Sequence, residues 1–162
     1  MSAIDDDITH EEQLEGGSKL TNNPADAGGR TIYGISERAN PDLWVNGPPS
    51  EAQARQRFMD RYVTVPGFDR IADPKLQAQL IDMGITSGPA VAIQRLQEVI
   101  GVKADGVLGP QTLAVLATKD PRKTNNSLAC ARINMICKLV GSKPSQLQFL
   151  VGWVSRCCEF IL

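Results

Sequence analysis

Apolar positions recur at helical spacing over most of the chain. Ile4, Ile8 and Leu14 fall on one side of a short helix predicted over residues 4–15, which Gly16-Gly17 ends. Residues 16–35 break that rhythm. Gly, Asn, Thr and Pro dominate there, and Thr31-Ile32-Tyr33 is the only β-like run, which predicts loops with a small hairpin. Ser50, with Gln53 three positions on, has the form of a capping box and opens a helix to about Tyr62. Asp73-Pro74 places an N-cap residue before a proline at the first helical position, and that helix runs to about Thr86, stopping at Ser87-Gly88-Pro89. Ile93, Leu96, Gln97 and Ile100 keep helical spacing over residues 90–100. Asp105-Gly106 is a turn, and Pro110 starts a helix through about Thr118. Leu128, Met135, Ile136 and Leu139 share one helical face. Leu147, Leu150, Val151, Val154, Cys158 and Ile161 form the cleanest apolar stripe, read as the buried face of a last helix. The pattern is that of a mainly α protein with one loop-rich segment near its front and no internal repeat.

Composition sharpens this. The chain has 162 residues, 42% hydrophobic and 22% charged, which suits one globular domain and excludes wholesale disorder. Aromatics are only 5%, so the core is expected to be aliphatic. The net charge of −1 hides a split. Residues 1–28 hold seven acids (Asp5, Asp6, Asp7, Glu11, Glu12, Glu15, Asp26) and one base (Lys19), while the remaining 134 residues hold 16 bases and 11 acids. No basic run suggests nucleic acid, but a mildly basic body tolerates an anionic polymer such as a cell wall. The opening MSAIDDDITHEEQLEGG lacks the form of a secretory signal, and the longest apolar run, Phe149–Val154, is far short of the ~20 residues of a membrane span. A chain made in the cytoplasm without an integral membrane segment is therefore expected. Cys130, Cys137, Cys157 and Cys158 do not have zinc-site spacing and are read as free, mostly buried thiols, although spacing alone leaves a disulfide of the 130–158 type open.

The stretch from Glu15 to Ile35 carries the candidate chemistry. Glu15 ends a predicted helix beside Gly16-Gly17. The negative end of the helix dipole disfavours its ionised form, and burial would act in the same direction. A carboxyl that keeps its proton near neutrality can protonate the leaving oxygen of a glycosidic bond, and adjacent glycines leave room for a bulky substrate. Asp26, eleven residues on, lies in a loop long enough to return a second carboxylate across a cleft, and the Thr31 hydroxyl could hold a water beside it. Taken alone, Glu15 also reads as a solvated helix end and Asp26 as a turn cap.

These residues resemble the glycoside hydrolase family 108 muramidases. The match runs through Glu15-Gly16-Gly17, then Asp26-Ala27-Gly28-Gly29-Arg30-Thr31, then Tyr33-Gly34-Ile35. It continues through Asn40-Pro41-Asp42-Leu43-Trp44, Asp82 with Ser87-Gly88-Pro89, and Gln97 to Gly101. Asp105-Gly106, Gly109-Pro110 and Phe149-Leu150-Val151-Gly152-Trp153 with Arg156 extend it to the end of the chain. The resemblance implies a single lysozyme-like domain over residues 1–162. Its catalytic lobe would span residues 1–70, and its helical lobe, residues 71–162, resembles a peptidoglycan-binding region. It also implies cleavage of the β-1,4 bond between N-acetylmuramic acid and N-acetylglucosamine in peptidoglycan. Glu15 would be the general acid, with Asp26 and Thr31 completing the catalytic set. Tyr33, Gly29, Asp82 and Trp44 would meet substrate. No cofactor or metal is implied, and a monomer is expected. An endolysin would reach the wall through a holin-type pore, and dedicated secretion is the other route.

Other residues have blander readings. His10 is the lone histidine and is read as a surface residue, since no metal site can be built around it. Asp82 also reads as a structural residue near a helix end. Trp153, beside the apolar stripe, reads as core, while Tyr33 and Trp44 could stack on sugar rings. Leu96-Gln97, Asp105-Gly106, Gly109 and Thr112 resemble repeats of peptidoglycan-binding modules, but a helix–turn–helix completing the core is the favoured reading. Two rival functions stand: a non-catalytic wall-binding or phage structural protein, and an enzyme acting on chitin or chitosan.

Overall fold

The computed structural model describes residues 19–22 and 29–162. The helix expected over residues 4–15, and with it Glu15, lies outside the described residues, as does Asp26. The chain divides into two compact units at Arg61–Tyr62.

The first unit contains an antiparallel sheet in the order β1 (Thr21–Asn22), β2 (Arg30–Ile32), β3 (Ile35–Ser36). β2 and β3 form a hairpin with Ile32 opposite Ile35, closed by Tyr33-Gly34 alone. Both loop residues have positive φ, 51° at Tyr33 and 70° at Gly34, as the two-residue turn matched to the strand twist requires. A short 3-10 turn, Pro41–Trp44, leads to α1 (Glu51–Met59). The expected capping box is present: Ser50 Oγ accepts from the Gln53 N–H, and the Gln53 side chain accepts from the Ser50 N–H at 2.9 Å. Ile35, Trp44 and Ala54 form this unit's buried cluster, with Ile32, Tyr33 and Leu43 packed against it. A π-type turn, Asp60–Thr64, carries the chain onward.

The second unit is helical: α2 (Pro74–Ser87), α3 (Pro89–Ile100), α4 (Pro110–Leu116), α5 (Pro121–Ser142) and α6 (Leu150–Cys158). The mainly α, lysozyme-like class with a small hairpin is thus what the described residues display. Asp73 caps α2 by accepting from the Leu76 N–H at 2.8 Å. The core is aliphatic, built on Leu76, Leu80, Ile81, Met83, Leu96 and Leu128, with Phe68 as its fully buried ring. α5 packs on α2, α3 and α6. Its buried stripe is Thr124, Leu128, Arg132, Ile136 and Val140, spaced by four, with Asn125 and Ala129 beside it.

The expected stripe on the last helix is displaced. Pro144 opens a 3-10 turn, Pro144–Phe149, and α6 begins only at Leu150. Leu150, Trp153, Val154 and Cys157 then face inward, Cys157 fully buried, whereas Leu147, Val151 and Ile161 are exposed. Both sets have helical spacing; the helix start and the partners of the inner face select between them. The cysteines are free, but only Cys157 is buried, and Cys130, Cys137 and Cys158 are exposed. Burial pushes the Cys157 thiol above its usual range.

The Gln97–Asp105–Thr112 set forms a structural staple. Gln97 is 1% exposed, and its amide nitrogen donates to Asp105 Oδ1 (2.8 Å), the Val107 carbonyl (3.0 Å) and Thr112 Oγ1 (3.1 Å). Its oxygen accepts from the Gly106 N–H at 2.9 Å. Gly106 has φ 76°, and a Cβ there would press on the Ala90 carbonyl at 3.3 Å, so glycine suits both the turn and the close approach. The Gln97 amide, and after it the Val107 N–H, hold the Asp105 carboxyl below the usual carboxylate range.

Gln97→Leu keeps the volume but strands the buried Thr112 hydroxyl and unties the Asp105–Val107 turn, and should cost about 1–3 kcal/mol, read as a fall in Tm at neutral pH. Because the folded-state pKa of Asp105 is lowered, its contribution is complete above the unfolded value near ~4 and is lost as pH falls through the folded value. The Tm gap between wild type and variant should therefore narrow in acid.

Candidate active site

Strand alternation sorts the first unit's side chains. Arg30 and Ile32 face the Trp44 cluster. The Arg30 guanidinium lies over the Trp44 ring, 5.0 Å from its centre, and is clamped by Glu37 through two hydrogen bonds of 2.8 and 2.7 Å. That pairing holds the Glu37 carboxyl below its usual range. Thr31, between them, faces the other way. Its cross-strand partners are Thr21 on β1 and Ser36 on β3, so three hydroxyls form a row across one face of the sheet. Thr21 is exposed, and Thr31 and Ser36 are half-buried. The Thr31 hydroxyl donates to the Gly29 carbonyl at 3.4 Å, and the Thr21 hydroxyl to the Thr31 carbonyl at 3.3 Å.

The remaining expected contacts separate. Gly29 stands just before β2 with φ 74° and is half-buried, and Tyr33 occupies the hairpin turn next to Gly34. Tyr33 is the one non-glycine residue with positive φ among the described residues, a conformation that costs an L-residue about 1–2 kcal/mol. Its ring packs half-buried against the Trp44 cluster. Trp44 is only 5% exposed and serves as the core of its unit, with Arg30 covering one face.

Asp82 belongs to the second unit and is 7% exposed on α2. Arg156 from α6 donates through Nε to Asp82 Oδ1 at 2.6 Å. Arg132 from α5 pairs its Nη1 with Asp82 Oδ2 and donates through Nη2 to the Thr86 hydroxyl at 2.9 Å. Arg132 and Arg156 thus share one buried carboxylate. Sequence reading missed Arg132. The available signal was its position: four residues from Leu128 and from Ile136, a guanidinium inside an apolar stripe demands an acidic partner. Thr21 and Ser36 were also missed, for lack of any local signal that pairs them with Thr31.

Residues 10–88 match the model of the glycosyl hydrolase 108 family. Residues 91–158 match a second model, described as "Predicted Peptidoglycan domain". The glycosyl hydrolase 108 match contains Glu15, Asp26, Thr31 and Asp82, and the second contains Arg132 and Arg156. SagA of Brucella abortus is a similar solved structure, 28% identical with a TM-score of 0.68, covering 96% of this chain and 90% of its own. No curated protein sequence matches. Together the two family models support a glycoside hydrolase with peptidoglycan as its polymer.

Asp82→Asn removes the carboxylate that lies between two guanidiniums and leaves buried Arg132 uncompensated. It should destabilise the fold by about 3–5 kcal/mol, lowering the urea midpoint with the slope unchanged. Pairing Asp82→Leu with Arg132→Met should recover part of that loss.

Proposed function

We propose that the chain is a muramidase that cleaves the β-1,4 bond between N-acetylmuramic acid and N-acetylglucosamine, with Glu15 as general acid. What carries this reading is that one family match, residues 10–88, contains Glu15, Asp26 and Thr31 in a single segment. The chemistry assigns them distinct parts. Glu15 gives its proton to the bridging oxygen as the bond lengthens. Asp26 faces the sugar that acquires positive charge, or activates the attacking water. The Thr31 hydroxyl, on the sheet face turned away from the Trp44 cluster, orients that water. Gly29 and Tyr33 flank Thr31 in sequence and serve as substrate contacts, while Trp44 and Asp82 hold the frame from within their own units. The cellular role we infer is that of an endolysin acting on the wall as a monomer after release through a pore. Dedicated secretion serves the same chemistry.

Glu15→Gln should reduce release of reducing ends from purified peptidoglycan by about 10²–10⁴-fold, with the circular dichroism spectrum unchanged. Mass spectrometry of the wild-type digest should find N-acetylmuramic acid at the new reducing ends. New ends on N-acetylglucosamine would replace this reading with a glucosaminidase, and wall binding without new ends would replace it with a binding protein.

A further inference from the structure

Between α5 and α6 the second unit ends in an exposed apolar tip. No residue from Gly141 to Trp153 is buried. Leu147 is 60% exposed and Val151 77%, and Phe149 and Leu139 are exposed as well. The Phe149 ring lies against Trp153, with ring centres 5.6 Å apart. Trp153 and Leu139 in turn share the wall of a half-open cavity of about 470 Å³ with Val91, Met135 and Ile136. The arginines bordering that cavity are held by Asp82, so what the cavity adds to the tip is apolar wall. Single apolar side chains on a surface need no account, but this many gathered at one turn mark a contact surface.

The charge around the tip has one sign. Pro121 to Cys158 holds six bases (Arg122, Lys123, Arg132, Lys138, Lys143 and Arg156) and no acid. Arg122 is tied to the Leu162 carbonyl, and Arg132 and Arg156 to Asp82. Lys138 and Lys143 stand exposed at the tip end of α5. α3, which brings Val91 to the same cavity, carries no acid over Pro89–Gln94. The tip therefore faces outward as an apolar surface with a positive border.

That combination selects the partner. An anionic wall polymer offers charge to the lysines but no apolar phase for Leu147, Phe149 and Val151. A rigid protein partner needs a groove shaped to this turn, whereas a fluid bilayer moulds to it. Apolar side chains beside lysines are the pair of signals by which a protein lies on an anionic membrane, and aromatic rings favour the headgroup level. We propose that the α5–α6 tip docks the chain on an anionic phospholipid bilayer. Leu147, Phe149 and Val151 enter the boundary of the acyl chains, and Lys138 and Lys143 meet lipid phosphates. No helix among the described residues is long and apolar enough to cross a membrane, so the contact is with the surface. The docking is independent of which bond in the wall is cleaved.

The test is sedimentation of the full-length chain with vesicles of phosphatidylglycerol and phosphatidylethanolamine, or of phosphatidylcholine alone. At about 0.1 M salt the anionic vesicles should bind at least about tenfold more protein, and the excess should shrink at about 0.5 M. Brominated acyl chains should quench Trp153 and spare Trp44, which is buried in the other unit. Phe149→Ser combined with Val151→Ser changes only exposed positions. It should weaken binding about tenfold or more, with the circular dichroism spectrum and the release of reducing ends from lipid-free peptidoglycan unchanged. Lys138→Gln with Lys143→Gln should weaken binding and flatten its salt dependence. Equal binding to neutral vesicles, or no binding to either kind, overturns the proposal. So does vesicle binding that the double serine variant retains in full, the mark of a purely electrostatic contact such as an anionic polymer makes. A dimer in solution that the same variant dissolves overturns it in favour of a second copy of the chain. Glu15→Gln should bind vesicles as the wild type does, so failure of the docking and failure of the muramidase reading are separately visible.

Discussion

The helical unit depends on a charge that cannot leave. Arg132 sits at the middle of the buried face of α5, where four-residue spacing would otherwise put an aliphatic side chain. A guanidinium cannot give up its proton to enter a core, so its charge must be compensated in place. Asp82 does this from α2, and Arg156 reaches the same carboxylate from α6. Three helices are thereby fixed in register by one carboxylate. An ion cluster of this kind adds little net stability over a well-packed apolar alternative, but it penalises any helix shift that separates its members. The inward face of α6 is consistent with that constraint. Turning the helix to bury Val151 and Cys158 would withdraw Arg156 from Asp82 and the cavity wall.

Among its described residues the hairpin unit has few buried side chains, and it relies on a different constraint. Its two-residue turn demands positive φ at Tyr33, at a cost that asparagine or glycine would avoid. The ring returns part of that cost by packing on Ile35, Trp44 and Ala54. The strand that follows from this turn places Arg30 and Ile32 inward and Thr31 outward. A slip of one residue would turn Thr31 inward and swing Arg30 away from Trp44, breaking the clamp with Glu37. The outward direction of the Thr31 hydroxyl is therefore tied to an arginine stacked on a tryptophan.

Much of this was legible in the sequence because its signals are local. The Ser50–Gln53 box, the Asp73-Pro74 start and the Pro110 start depend on neighbours within one helical turn, and the structure places each helix where those signals put it. The Gly-rich turn at Asp105-Gly106 was legible for the same reason. What failed were features set by distant partners. The last apolar stripe offered two helical phases, and the choice lay with contacts on α2 and α5. Cys130 and Cys137 lie seven residues apart on an exposed face of α5, which a cysteine's apolar character does not disclose. The hydroxyl row needs strand register, and register is not a local property. Of the expected site, Thr31, Gly29 and Tyr33 lie together around β2, while Trp44 and Asp82 have structural surroundings. Glu15 and Asp26 lie outside the described residues.

The two family matches meet at the α2–α3 junction, yet the physical units meet at Arg61–Tyr62. The glycosyl hydrolase 108 segment therefore contributes α2 to the unit that the peptidoglycan segment completes. This sharing has a reason in the packing. α2 carries the buried faces of Leu76, Leu80 and Ile81 and the charge of Asp82, and the partners of that charge lie on α5 and α6. Cut at residue 88, the first segment would retain a helix with an exposed apolar face and an uncompensated carboxylate, and the second would retain buried Arg132 with no acid to meet it. Neither segment can satisfy its own core. The two are one folding problem, and a cavity bordered by Thr86 and Ser87 on one side and Arg132 and Trp153 on the other exists only because both solve it together.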